Sequence, residues 1–292
     1  DKFGGLAINY AIDLKQRFWI NFNSEGKPKR EFVKGGNPEF YKAFFDEAKI
    51  PYSIVSIKQR YDGIPESGIG SSAAAAVALV SAITRYQGFT VDSHLIAEAA
   101  WSVEVEKLGL YGGRQDQVAS SFGGLNLIEF GPKGSRVNVR KPDPENNFVP
   151  SVLLFYLGYN RKSPAIQENL RNLTPDQINY LHKIKAVIVE ALEPLDRGDI
   201  EKVGQLLTKL WVIKKRANPL ACDERIDKAL TLGEKHGAFG GKVQGAGGGG
   251  FMIFVVDPEK KNRFIERMER EGYKWQDYNL SLDGVQTRIC PD

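Results

Sequence analysis

The chain has 292 residues, 42% of them hydrophobic and 26% charged, with a formal net charge of +4; these are the proportions of a globular protein of one or two domains with a sizeable core. The longest apolar run, Ala73 to Ile83, is far short of the ~18 residues that suggest a membrane span, and no signal-peptide pattern opens the sequence, so a cytoplasmic protein without membrane contacts is expected. Its basic residues are spread out, with short clusters at Lys27 to Arg30 and Lys214 to Arg216 that read as solvated faces rather than nucleic-acid contacts, and Cys222, Cys290 and three scattered histidines offer neither a disulfide framework nor a zinc site.

In chain order, Phe18 to Asn23 and Tyr52 to Tyr61 read as strands flanking a helix from Pro38 to Lys49, whose Phe40, Phe44 and Ala48 recur on one face. A helix from Ser72 to Gln87 is apolar on every side and stops at Gly88; an amphipathic helix follows from Ser93 to Leu108. Strands are predicted at Leu125 to Phe130 and around Val137, and the three prolines of Lys141 to Pro150 mark the best linker. Beyond it come an apolar strand from Ser151 to Gly158 and helices at Asp176 to Leu195, Asp199 to Ala217 and Asp223 to His236, each opened by an acidic residue that suits a helix N-terminus. The end reads as a strand (Phe251 to Val256), a helix (Pro258 to Gly272) and two strands (Trp275 to Leu280 and Val285 to Ile289). The pattern is α+β in two halves, 1–150 and 151–292.

Three glycine-rich segments punctuate this pattern. In Pro65-Glu66-Ser67-Gly68-Ile69-Gly70-Ser71-Ser72-Ala73 a glycine turn and two hydroxyls lead straight into the apolar helix, with Ser71 or Ser72 placed as N-cap. The unpaired N–H groups of such a first turn, with the helix dipole, favour an anion. The second segment is Gly112-Gly113-Arg114-Gln115-Asp116-Gln117 and the third Gly245-Ala246-Gly247-Gly248-Gly249-Gly250. The third satisfies G-x-G-x-x-G, but a strand of Phe, Met, Ile and Val follows it where a dinucleotide fold needs a helix. The Gly-Lys pair beside this segment, Gly241-Lys242, precedes Val243, where a Walker A loop needs Ser or Thr.

These three segments, in this order, resemble those of the GHMP superfamily of small-molecule kinases. Gly112 to Phe130, Gly158 to Gln167 and Phe3 to Asp13 are similar to sugar kinases of the D-glycero-D-manno-heptose 7-phosphate kinase type. The resemblance covers essentially the whole chain. It implies an N-terminal ATP- and phosphate-binding domain like the second domain of ribosomal protein S5 (1–150) and a ferredoxin-like C-terminal domain (151–292). It also implies ATP and Mg²⁺ as requirements, a sugar or sugar phosphate as acceptor, and a monomer or homodimer. A mevalonate-pathway, galactose or fucose kinase is the alternative within enzymes, and a non-catalytic sugar or nucleotide sensor the alternative outside them. The family's first motif, a strand and loop that contribute sugar contacts, has no counterpart here, because the sequence opens at Asp1-Lys2-Phe3-Gly4-Gly5. Either a segment precedes this point or the acceptor site is built differently.

Such loops suit phosphoryl transfer, in which the protein chiefly positions groups and neutralises phosphate charge. Pro65, Gly68, Ile69, Gly70, Ser71, Ser72 and Ala73 are expected around the nucleotide phosphates. Asp116 is the expected base for the acceptor hydroxyl, with Arg114 two residues earlier expected to stabilise its ionised form. Gly112, Gly113, Arg114, Gln115, Gly247 and Gly248 are expected near the acceptor. For Mg²⁺ the Ser72 hydroxyl and one carboxylate suffice; helical geometry leaves Glu104 and Glu106 open, and the resemblance favours Glu104. Arg161, in Asn160-Arg161-Lys162-Ser163 ahead of an expected helix, is suited to grip a second phosphate on the acceptor.

Overall fold

The computed structural model describes residues 4–23, 29–31, 36–110, 112–131, 134–140, 148–159, 166 and 173–290. Arg161, its neighbours Asn160, Lys162 and Ser163, and most of the expected linker at Lys141 to Pro150 lie outside the described residues.

Helix α1 (Pro38–Glu47) forms because Asn37 accepts hydrogen bonds from the Glu39 and Phe40 N–H groups and Pro38 is preset for the first turn. It buries Phe40, Tyr41, Phe44 and Phe45 against helix α2 (Ser71–Tyr86) and strand β4 (Val55–Tyr61). Strand β4 lies between β2 (Gln16–Phe22), antiparallel, and the two-residue β3 (Arg30–Glu31), parallel. A second sheet runs β1 (Leu6–Tyr10), β5 (Leu125–Gly131), β6 (Gly134–Arg140), all antiparallel. Helices α3 (Ser93–Ser102) and α4 (Gln115–Phe122) pack with α2 between these sheets.

After a one-turn helix (Phe148–Ser151), strand β7 (Val152–Tyr156) opens the third sheet. Helices α5 (Pro175–Arg197), α6 (Ile200–Ala217) and α7 (Glu224–Lys235) precede β8 (Ala238–Val243) and β9 (Phe251–Val256). Helix α8 (Lys261–Arg270) then leads to β10 (Lys274–Gln276). The antiparallel order β10-β7-β9-β8 is that of a split β-α-β-β-α-β unit, the ferredoxin-like arrangement. Strand β9 is buried along its whole length, as its unbroken apolar sequence requires.

Two expected features differ. Val285 to Ile289 is not a strand; this tail lies across the first half, with the Val285 N–H bonded to the Ser121 carbonyl and Ser281 paired to Ala11 and Gly124. Strand β8, unannounced in a glycine-containing sequence, exists because α6 presses against it: a Cβ at Gly240 would lie 2.0 Å from the Gly204 carbonyl oxygen.

The two halves meet through backbone. Phe251 N–H donates to the Ser67 carbonyl at 3.0 Å, and a Cβ on Gly245 would come within 2.8 Å of the Gly68 carbonyl oxygen. The first and third glycine segments are therefore in direct contact, a juxtaposition that places one cavity at the seam.

Candidate active site

The Ala-rich run that follows Ser72 makes α2 a buried helix; the cavity runs along one side of it from Ser71 to Tyr86 and takes in its N-terminal turn. Gly70, not a serine, caps it: Gly70 has φ +76° and no side-chain cap bond is made, because the left-handed turn is open to glycine at little cost. Ser71 and Ser72 are thereby helical residues, and the first bond within the helix runs from the Ala74 N–H to the Gly70 carbonyl. The N–H groups of Ser71, Ser72 and Ala73 thus have no acceptor within the helix. Gly68, Ile69, Gly70 and Ser71 line a cavity of about 1700 Å³ together with Gln115 and Asp116. Ala73 is buried in the helix packing, and Pro65 is half-buried in the turn before it.

Asp116 occupies the second position of α4. A Cβ on Gly70 would meet the Asp116 Cβ at 3.3 Å, so only a bare backbone lets the α2 cap and this carboxylate come so close. Burial raises the Asp116 pKa; a hydrogen bond from Gln115 and the positive charges of Lys242 and Lys214 oppose that rise. Arg114 does not take the expected part. Its Nε donates to Glu98 Oε2 at 2.7 Å and its guanidinium lies 3.5 Å from the Trp101 ring centre, so the salt bridge and the indole face turn it from Asp116. Gln115 contributes its carbonyl to Asn9 Nδ2 at 2.7 Å. Gly112 and Gly113 are exposed ahead of α4.

Helix α3 gives way at Val103–Lys107 to a π-helical turn, a widening often found at functional sites. It directs Glu104 inward and leaves Glu106 exposed on a bond with Ser102. Glu104 Oε1 accepts from Ser72 Oγ at 2.7 Å and Oε2 from Gln117 Nε2 at 2.7 Å. Burial raises the Glu104 pKa, those two hydrogen bonds lower it, and the Asp116 charge raises it further. A carboxylate and a hydroxyl in contact are hard oxygen donors of the kind Mg²⁺ takes. Among the described residues Gln117 Oε1 is buried with no hydrogen-bond partner.

The third glycine segment enters the cavity at Gln244 and Gly245. Gly247 and Gly248 are buried instead: the Gly248 N–H donates to the Ala221 carbonyl at 2.6 Å, and a Cβ on Gly247 would lie 2.5 Å from that same oxygen.

The sequence gives no site role to Lys242, which opens the third motif, and reads Lys214 as part of a solvated basic cluster, yet both line the cavity beside Asp116. Lys214 Nζ bonds to the Gly245 carbonyl and Lys242 Nζ to Gln244 Oε1 at 3.1 Å. Desolvation pushes their pKa values down to about 8 and about 7, and the Asp116 charge works against both shifts. Lys242 stands three residues before the glycine segment, a spacing that was visible; Lys214 is hidden in a basic triplet that looks like any solvated helix end.

Residues 37–124 match the GHMP kinases N terminal domain and residues 190–274 match the GHMP kinases C terminal region. The chain belongs to the GHMP kinases. Its fold is theirs, α+β with an N- and a C-terminal unit, and as a member it is a phosphotransferase. The D-glycero-alpha-D-manno-heptose 7-phosphate kinase of Campylobacter jejuni is 29% identical over 315 residues, covering 98% of this chain and 92% of that protein. The crystal structure of a D-glycero-D-manno-heptose 1-phosphate kinase from Bacteriodes thetaiotaomicron superposes with a TM-score of 0.77 over 97% of this chain and 90% of that one, at 23% identity, and so speaks for the fold. A putative sugar kinase from Campylobacter jejuni has a TM-score of 0.76 at 26% identity over 96% of this chain and 89% of its own. Among the described residues no helix is long and apolar enough to cross a membrane.

Proposed function

We propose that this kinase transfers the γ-phosphoryl group of ATP to the anomeric C1 hydroxyl of a heptose 7-phosphate. The observation that carries the chemistry is the seating of the Asp116 carboxylate against Gly70, at the start of a helix whose first-turn N–H groups are poised for phosphate. In the transfer the acceptor oxygen bonds to the γ-phosphorus as the bond from that phosphorus to the β,γ-bridging oxygen breaks. The hydroxyl proton passes to an Asp116 carboxylate oxygen, and ADP leaves.

The residues from Pro65 to Ala73 take the nucleotide phosphates in the N-terminal unit (1–150), while 151–292 closes the site through Gln244 and Gly245. Ser72 and Glu104 are the residues that would hold Mg²⁺, with Gln117 fixing the carboxylate's second oxygen. A magnesium ion there supplies charge neutralisation on the phosphates. The acceptor assignment is supported by the Campylobacter jejuni heptose 7-phosphate kinase across nearly the full chain, and by the paired cations Arg161 and Lys162 in the sequence.

The test is a specificity ratio, kcat/KM for heptose 7-phosphate over that for the unphosphorylated heptose. The expected preference is about tenfold or more, the worth of a hydrogen bond to a charged group, and Arg161→Ala should erase it. Equal use of both sugars would point to a neutral acceptor.

A further inference from the structure

Three strands of contact converge on one spot of the cavity wall. The α6 residue Lys214 donates to the carbonyl of Gly245, and Gly245 lies against Gly68, its would-be Cβ only 2.8 Å from the Gly68 carbonyl oxygen. Two residues on, Gly70 touches Asp116. Lys242, on β8, lies next to the same loop through Gln244, and both ammonium groups are close enough to Asp116 to interact with its charge. The first, second and third glycine segments and two lysines from separate elements thus surround a single point.

The charge there does not balance. Two lysines face one carboxylate, so with both protonated one positive charge is unmatched in a place where desolvation opposes it and an unpaired charge is costly. Each ammonium has three donors, and the bonds to Gly245 and Gln244 aim them without neutralising them, since both acceptors are uncharged. An arrangement of this kind fits an anion that arrives with the ligand and brings more than one negative charge.

We propose that Lys214 and Lys242 are phosphate-contacting residues that grip the transferred phosphoryl group of the donor alongside the N-terminus of α2. The assignment rests on the kinase reading above. The two ammonium groups neutralise charge on the non-bridging oxygens as the group passes to the acceptor, and neither lysine forms or breaks a covalent bond. Their partner Asp116 keeps its own task as proton acceptor; the lysines serve the phosphate.

The test is binding of magnesium tripolyphosphate and of ATP, without acceptor, measured by calorimetry on the wild-type chain and on Lys214→Met and Lys242→Met. Each substitution should weaken both ligands about tenfold or more, and Lys242→Arg should recover part of the loss. Amine-reactive labelling of the unaltered chain gives a readout that does not depend on how a variant folds: tripolyphosphate should protect Lys214 and Lys242 and leave reactive the exposed Lys235, which lies outside the cavity lining. Unchanged affinity in both variants, or labelling of the two lysines that the ligand does not slow, overturns the proposal while leaving the kinase reading in place. A fall in kcat with tripolyphosphate affinity intact also overturns it, because the lysines would then act on Asp116 alone. A wild-type chain that binds neither ligand would overturn the kinase reading itself.

Discussion

Alanine at Gly70 separates the backbone's part in stability from its part in the reaction. Gly70 has φ +76°, so an L-residue there costs roughly 1–2 kcal/mol in backbone strain. The added methyl carbon would also press on the Asp116 Cβ at 3.3 Å, and Asp116 must give way by a few tenths of an ångström. Gly88 provides the control: its φ is +83°, but nothing lies within 4 Å of its would-be Cβ. Both variants should therefore lose similar stability, at about 2–4 °C of Tm per kcal/mol for a chain of this size. Only Gly70→Ala should lose turnover, by about tenfold or more, since an ångström of misplacement can cost ~100-fold. Thermal unfolding and coupled ADP release on the two proteins check this. Equal turnover in Gly70→Ala and Gly88→Ala would refute the placement of the reaction between the α2 cap and Asp116.

Asp116→Asn should lower kcat by about 10²–10⁴-fold with Tm little changed, as neither shape nor packing alters, and a loss of only a few-fold would remove Asp116 as the base. In magnesium titrations of activity, Glu104→Gln should demand more metal and Glu106→Gln should not; Gln117→Leu, which frees Glu104 Oε2, should shift the requirement in the same direction but less. Stability should rise with pH between about 7 and 10: the folded Lys242 and Lys214 have lowered pKa values, so in that range the unfolded chain binds more protons, and removing them from solution favours the folded state. Lys242→Met should flatten this rise in chemical-denaturation free energy measured across pH, and a slope identical to wild type would show that the lysine is not desolvated.

What local sequence could determine, it did. The apolar run after Ser72 could only be a buried helix, and a glycine turn at its start could only leave that end open to a ligand. Strand β9, apolar throughout, announced the centre of a sheet. The three glycine segments carried the kinase reading because each encodes a backbone conformation or approach denied to larger residues, and such information is local. Pairing across the fold is not. Arg114 is two residues from Asp116 in sequence, yet it turned to Glu98 and Trp101, while the cations that face Asp116 come from α6 and β8. Glu104 and Glu106 looked alike on an ideal helix; a π-helical turn, which depends on what the helix packs against, turned one towards Ser72 and left the other exposed. The tail at Val285 to Ile289 has a strand's composition but lies across Ser121 without a ladder to join. Burial, charge and hydrogen-bond partners are set by elements far apart in the chain, so only the packing of α2, α4, α6 and β8 around one cavity decided which charged groups the site would hold.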